Sequence, residues 1–241
     1  KQSSIDYLLA EKTLIDILRI VEHSLISTQA NENCITYISK NNDPLNTDTL
    51  ITDFGGANCL HLKQLNKGKI ITIYNKYVHD SAAIIHNTFD NFYLNNNRIS
   101  GNIILENLGP NVNQDCIYNL EVENLVISTF NGDINLNANF KKVLISGSLT
   151  KDEYSDDVYL IFGSAEGNSL NNNNFNINII DSLTMNNACF EDSRCVIIGG
   201  NTTISTDVYE DRELDYGDDL CDCKVNVEIN NDSYLILIPI N

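Results

Sequence analysis

Four acidic residues in one short stretch are the first candidates for chemistry. Asp152, Glu153, Asp156 and Asp157 lie between two predicted strands. Two carboxylates held at a suitable separation on the side of a β-helix can hydrolyse glycosidic bonds. Spacing along the chain does not fix that separation, and acidic residues are common in turns. A solvated turn is therefore the simpler interpretation, and a polysaccharide hydrolase or lyase is the alternative.

A second acidic group falls in residues 206–222, which the sequence predicts to be a loop. Hard cations such as Ca²⁺ need several oxygen ligands at close range. Asp215, Asp218 and Asp219 surround Gly217 and are the candidate ligands. Their order matches neither the EF-hand loop nor the glycine-rich nonapeptide repeat. A solvated acidic loop is again the simpler interpretation, and no cofactor other than this Ca²⁺ candidate is suggested.

Other signatures of catalysis and of nucleic-acid binding do not occur. The four histidines show no HxH, HxxxH or HExxH spacing, and there is no GxSxG or GxxxxGK motif. The formal net charge of −18 argues against a nucleic-acid partner and against anionic membrane surfaces, because both require Lys and Arg. The sequence therefore favours a non-enzymatic protein over an enzyme.

The seven cysteines are scattered, and no CxxC pair occurs among them. A structural zinc site is therefore not expected. Cys189 and Cys195 are close enough in sequence to close a small loop. The favoured interpretation is free buried thiols in a protein that folds in a reducing cytoplasm.

Residues 1–30 predict one uninterrupted helix. Leu14, Leu18, Val21 and Leu25 form a heptad-like stripe, and further apolar residues widen it to most of the circumference. A lone surface helix is not so apolar. The stripe predicts either oligomerisation, with a homotrimer expected, or a cap over the open end of a repeat fold.

The body of the chain shows an apparent internal repeat within residues 119–149. Each copy is a short alternating strand, a one- to two-residue break and a second short alternating strand. The step from Leu125 to Val143, and from Ile127 to Ile145, is 18 residues. Short repeats of this kind are typical of stacked β-coils.

The fold expected from this pattern is all-β, a parallel β-helix (β-solenoid) over residues 31–205 with the N-terminal α-helix before it. Residues 206–241 are expected to hold the acidic loop and a C-terminal pair of strands. The alternative is an antiparallel β-sandwich, in which Asn131-Gly132 and the other polar corners are hairpin turns.

A strongly apolar helix followed by a short-repeat β-solenoid resembles the plan of bacteriophage fibres and tail spikes. The resemblance implies a non-enzymatic structural or host-attachment component of a virus particle, folded in the host cytoplasm. It implies a homotrimer that contacts other virion proteins and a cell-surface glycan or protein. The third hypothesis is a secreted adhesin, extracellular or on the cell surface, and oxidised cysteines would favour it.

Overall fold

The protein is one long helix with a single curved antiparallel sheet packed around it. The computed structural model describes residues 2–26, 34–41, 47–150, 153–192 and 195–238. The helices are α1, Gln2–Ile26, and α2, Cys189–Asp192, with a 3-10 turn at Tyr154–Asp156. The fourteen strands are β1 Thr36–Asn41, β2 Asp48–Asp53, β3 Cys59–His61, β4 Gln64–Tyr74, β5 Ile84–Leu94, β6 Asn97–Pro110, β7 Cys116–Thr129, β8 Gly132–Ser146, β9 Val158–Asn168, β10 Asn174–Asn186, β11 Ile197–Thr206, β12 Arg212–Asp218, β13 Lys224–Ile229 and β14 Asp232–Leu237.

Apart from β3, each strand pairs antiparallel with the next one in sequence, so β2 pairs with β4, and the short β3 forms a side hairpin on β4. The predicted parallel β-solenoid is therefore wrong. The antiparallel pairing of the strands agrees with the alternative expectation, the antiparallel β-sandwich. Thr129 pairs with Gly132, the first residue of β8, so a hairpin does form here, with Phe130 and Asn131 as its two-residue loop.

The apparent repeat has a different physical origin from stacked coils. Leu125 pairs with Leu136, and Ile117 pairs with Val143, so the two copies run antiparallel to each other. The break inside the first copy is a β-bulge: the register shifts between Val122 and Leu125. What reads as two short strands is one long strand with a bend in its middle.

β-Bulges recur across the sheet. Register shifts also interrupt the β4–β5, β6–β7 and β11–β12 ladders. Gly68 and Gly101 occupy two of these positions with φ of +83° and +121°. A Cβ at Gly101 would lie 2.5 Å from the carbonyl oxygen of Asn124, so a larger residue does not fit there. Bulges bend the strands that contain them and increase the local twist, which helps this sheet to curve around the helix.

Helix α1 is the centre of the hydrophobic core. Nineteen of its 25 residues are buried, so almost its whole circumference is covered. Tyr7 packs edge-on against Phe175 of β10, with ring centroids 6.2 Å apart. His23 packs edge-on against His61 of β3 at 4.9 Å. Strands far apart in the sheet order therefore contact one helix.

The predicted oligomerisation stripe is buried within the chain itself. Leu14, Leu18, Val21 and Leu25 are at most 5% exposed and belong to the core cluster. Their apolar surface is covered by the protein's own sheet. The helix fills the inside of the sheet rather than capping the end of a repeat fold, and the homotrimer stays a prediction.

Six of the seven cysteines form disulfide bonds, and the expectation of free thiols is wrong. The pairs are Cys34–Cys59, Cys189–Cys221 and Cys195–Cys223. The small Cys189–Cys195 loop does not form. Cys116 remains a free thiol. Partners stand 25 to 32 residues apart in sequence, and the meander brings them together.

Residues 206–222 are not a loop, because they contain β12. Arg212, Leu214 and Tyr216 face inward and are buried, while Glu213 and Asp215 point to solvent. Acidic residues occupy one face of a strand here. The pairing of β11 with β12 carries the sheet on past residue 206, and the predicted C-terminal hairpin is confirmed as β13 and β14.

A buried carboxylate lies at the middle of the core. Glu11 of α1 accepts hydrogen bonds from the hydroxyls of Tyr7, at 2.9 Å, and Tyr216, at 3.0 and 3.1 Å. Burial raises the pKa of Glu11 from 4.5 to about 7, although both hydroxyl donors favour the ionised form. The folded protein therefore keeps a proton that the unfolded chain releases between pH 4.5 and 7.

Glu11→Gln is expected to remove one source of pH-dependent stability. The contribution of Glu11 is complete below pH 4.5 and is lost as the pH rises through about 7. A shift of this size corresponds to roughly 3 kcal/mol, since each pKa unit is worth about 1.4 kcal/mol. Urea unfolding should show the variant gaining stability relative to the parent between pH 5 and pH 8. Exposed Glu210→Gln should follow the parent, and a Glu11→Gln profile parallel to the parent's would contradict the assignment.

Candidate functional site

The outer face of β7 to β10 carries an unbroken polar surface, which we call the amide face. Alternate residues of each strand point away from the helix, while Val122, Ala138 and Phe175 between them are buried. The amide face consists of Glu121, Glu123, Asn137, Asn139, Ser164, Glu166, Asn168, Asn174, Asn176 and Asn178.

Strand register arranges the amide face in rows. Asn137 of β8 pairs with Glu166 of β9, which pairs in turn with Asn176 of β10. A parallel row runs through Asn139, Ser164 and Asn178. Adjacent strands lie about 4.8 Å apart, so each row presents polar groups at that spacing.

The amide face is concave rather than flat. Two adjoining depressions of about 420 and 300 Å³ open on it, and both are lined by Asn137, Glu166 and Asn176. Glu121 and Glu123 of β7 also line the larger depression. Together they form one shallow groove across four strands.

The groove offers hydrogen-bonding groups that the protein leaves to solvent. Asn174 is held in place, because its amide donates to Asp207 at 2.6 Å. Glu121, Glu166 and Asn176 make no side-chain hydrogen bond to any described residue. None of the amide-face residues is Lys or Arg. Amides and carboxylates supply both donors and acceptors, which suits a ligand rich in hydroxyl groups.

Sequence reasoning missed this surface, although a signal for it exists. Asparagine recurs at every second position in residues 135–139 and again in residues 174–178. Period-two spacing places such residues on one face of a strand. The signal is easily overlooked, because asparagine is also a common turn residue.

The described members of the first acidic group, Glu153, Asp156 and Asp157, differ in their exposure to solvent. Glu153 is exposed and caps the 3-10 turn, accepting from the backbone N–H of Ser155 at 3.2 Å. Asp156 is exposed and accepts from the hydroxyl of Thr150 at 2.7 Å. Asp157 is completely buried, and Asp152 lies outside the described residues. The described members do not form a pair of carboxylates facing one open cleft.

Asp157 belongs to a buried polar cluster beneath the end of α1. It accepts a hydrogen bond from the hydroxyl of Tyr159 at 2.8 Å, and Nε2 of His79 lies 3.9 Å away. Burial raises the pKa of Asp157 to about 7. The ammonium of Lys142, also buried, lies 4.1 Å from the ring centre of Tyr159. The group is better placed to position this part of the core than to reach a substrate.

The Ca²⁺ candidates also have local roles or face solvent. Asp215 accepts from the backbone N–H of Gly217 at 2.9 Å, while Asp218 ends β12 and is exposed. Asp219 follows in a left-handed conformation with φ of +63°. Across the described part of the chain, no group of three or more His, Cys, Asp and Glu residues is arranged to hold a metal ion.

A second concave region, the helix-end cavity, lies at the C-terminal end of α1 and has a volume of about 410 Å³. Four segments meet there: the end of α1, the turn after β3, the 3-10 turn and the start of α2. Its lining is Arg19, Glu22, His23, Ile26, Leu62, Glu153, Tyr154, Ser155, Asn187, Phe190 and Glu191.

Within the ranges that the structure describes, no helix has both the length and the apolar character of a membrane span. Comparison of the chain with protein-family models, with curated proteins and with solved structures found no match.

Proposed function

We propose that the chain is a secreted adhesin, extracellular or displayed on a cell surface, that binds a cell-surface glycan through the amide face. The observation that carries this proposal is the set of three disulfide bonds. Disulfides persist in oxidising compartments and are rare where thiols are kept reduced. A protein with this many pairs is best suited to the outside of a cell.

The amide face supports the choice of a glycan. Sugar hydroxyls both donate and accept hydrogen bonds, and the amide face presents amide and carboxylate groups at regular spacing. The groove is shallow and open, which suits recognition of a chain or a branch end better than the enclosure of a small molecule. Binding to such a surface needs no cofactor and no catalytic group.

The other two hypotheses have less support. The virion-component hypothesis was based on a solenoid and on an oligomerisation helix, and α1 is instead enclosed by its own sheet. Its homotrimer and its partner proteins remain predictions. The polysaccharide hydrolase hypothesis needs two facing carboxylates, whereas Glu153 and Asp156 are exposed and Asp157 is buried.

Removing two central side chains of the groove should weaken glycan binding. Each hydrogen bond to a neutral group contributes about 0.5–1.5 kcal/mol and each to a charged group about 1.5–3. We therefore expect Glu166→Ala/Asn176→Ala to bind a glycan array at least tenfold more weakly than the parent.

The matched control is Asn226→Ala/Glu228→Ala. These two residues are the same types, exposed on the outer face of β13 beyond the amide face. The control variant should bind like the parent. The proposal fails if the parent binds no glycan on the array, or if the two double variants lose binding equally.

A further inference from the structure

The helix-end cavity contains hydrogen-bond acceptors that the described protein leaves unsatisfied. Asn187 is 3% exposed; its amide nitrogen donates to the carbonyl of Tyr154 at 2.9 Å, and its Oδ1 has no partner. Glu22 is 7% exposed, and no described residue donates a hydrogen bond to its carboxylate. Buried acceptors without donors are uncommon in folded proteins and call for an explanation.

The cations at the helix-end cavity have partners other than Glu22. Arg19 lies over the ring of Phe190, 4.1 Å from its centre, and its guanidinium is 3.5 Å from a carboxylate oxygen of Glu191. Lys63 donates to the backbone carbonyl of Glu191 at 2.7 Å. Lys142 interacts with Glu22 only by longer-range electrostatic attraction, since no ion pair joins the two side chains within the described chain.

The walls of the helix-end cavity are suited to an apolar segment next to a charge. Ile26, Leu62 and Phe190 supply aliphatic and aromatic surface, and Tyr154 adds a ring that stacks on His79 at 5.0 Å. At the mouth, Glu153 is exposed and increases the negative potential. The carboxylates of Glu22 and Glu153 favour a cation that enters the cavity.

We propose that the helix-end cavity binds a primary ammonium group carried on a short aliphatic stem, of which a lysine side chain is the simplest example. The ammonium supplies up to three donors, and the carboxylate of Glu22 accepts from it. The stem lies along Ile26, Leu62 and Phe190. This site shares no residue with the amide face, so it goes beyond the proposed glycan binding and is tested separately.

The first test compares two probes with the same stem. Nα-acetyl-lysine methylamide carries the ammonium, and Nα-acetyl-norleucine methylamide lacks it. We expect isothermal titration of the full chain to show at least tenfold tighter binding of the lysine probe. Backbone amide NMR shifts should be concentrated around Glu22, Asn187 and Phe190. Equal affinity for the two probes, or shifts located elsewhere, would overturn the proposal.

The second test removes the charge of Glu22 while keeping its shape. Glu22→Gln should weaken the lysine probe at least tenfold, and Glu210→Gln, an exposed substitution outside the cavity, should leave it unchanged. Unaltered binding to Glu22→Gln would refute the role of this carboxylate. Near-ultraviolet circular dichroism checks that the variant is folded, and if it is not, the probe comparison and the shift map on the parent decide the question.

Discussion

Ile17→Asp is expected to prevent cooperative folding. Ile17 lies in the middle of α1 and is completely buried. An aspartate there places an unpaired charge, or a proton taken up at a cost, inside the centre of the sheet. The expected loss exceeds about 4 kcal/mol, which is a large part of the roughly 5–15 kcal/mol that stabilises an ordinary domain. Near-ultraviolet circular dichroism and a urea titration should show no native signal and no cooperative transition.

Ile26→Asp is the matched control for this substitution. Ile26 is the last residue of the same helix and is 39% exposed. An acidic side chain at a helix C-terminus opposes the helix dipole, at a cost of about 0.3–1 kcal/mol. Similar unfolding midpoints for the two variants would contradict a helix enclosed by the sheet.

The second large effect concerns the disulfide between Cys195 and Cys223. Replacing both residues by Ser is expected to lower the free energy of unfolding by about 2–5 kcal/mol, because the unfolded chain regains the freedom of a loop. The two residues are 28 positions apart, which places the expected loss in the middle of that range. The midpoint of urea unfolding measures the change.

Cys116→Ser provides the comparison with an unpaired cysteine. Cys116 is half-buried at the start of β7 and has no disulfide partner. Its replacement changes a small side chain and no cross-link, so the expected loss is within about 1 kcal/mol. A double Cys195/Cys223 variant as stable as Cys116→Ser would show that this bond is absent from the native protein.

The helix, several strands and the final hairpin could be predicted from local pattern, but the topology could not. Alternation around Leu120 and Val122 indicates a strand in either a parallel coil or an antiparallel meander, because both place alternate residues inside. The bulge between Val122 and Leu125 divides a fourteen-residue strand into two apparent short ones. Because of this apparent division, the sequence shows pairs of short strands at an 18-residue spacing, which is typical of a β-solenoid.

The surface that covers the helix could not be predicted from the sequence, for a related reason. Leu14 and Leu18 form a stripe that fits a coiled-coil seam, and sequence alone does not say which surface covers it. The answer depends on the curvature of a sheet whose bulges are set by contacts between strands far apart along the chain. The disulfides depend on the same long-range arrangement, which is why Cys195 was not matched with Cys223.

The candidate sites were only partly accessible to sequence reasoning. Glu153 was noted as an acidic residue, and the structure places it at the mouth of the helix-end cavity. Nothing in the sequence distinguishes Glu22 from other charged residues of the predicted helix, and only its enclosure in the structure shows an acceptor without a donor. Asn137 and Asn176 come together because strand register aligns β8, β9 and β10.

The proposed extracellular location depends on the three disulfide bonds of the folded protein. The most direct test is peptide mapping by mass spectrometry of protein isolated from its natural source, with free thiols alkylated before any reduction. The predicted result is three linked peptide pairs, Cys34 with Cys59, Cys189 with Cys221 and Cys195 with Cys223, and an alkylated Cys116. Seven alkylated cysteines would contradict both the disulfides and the proposed location.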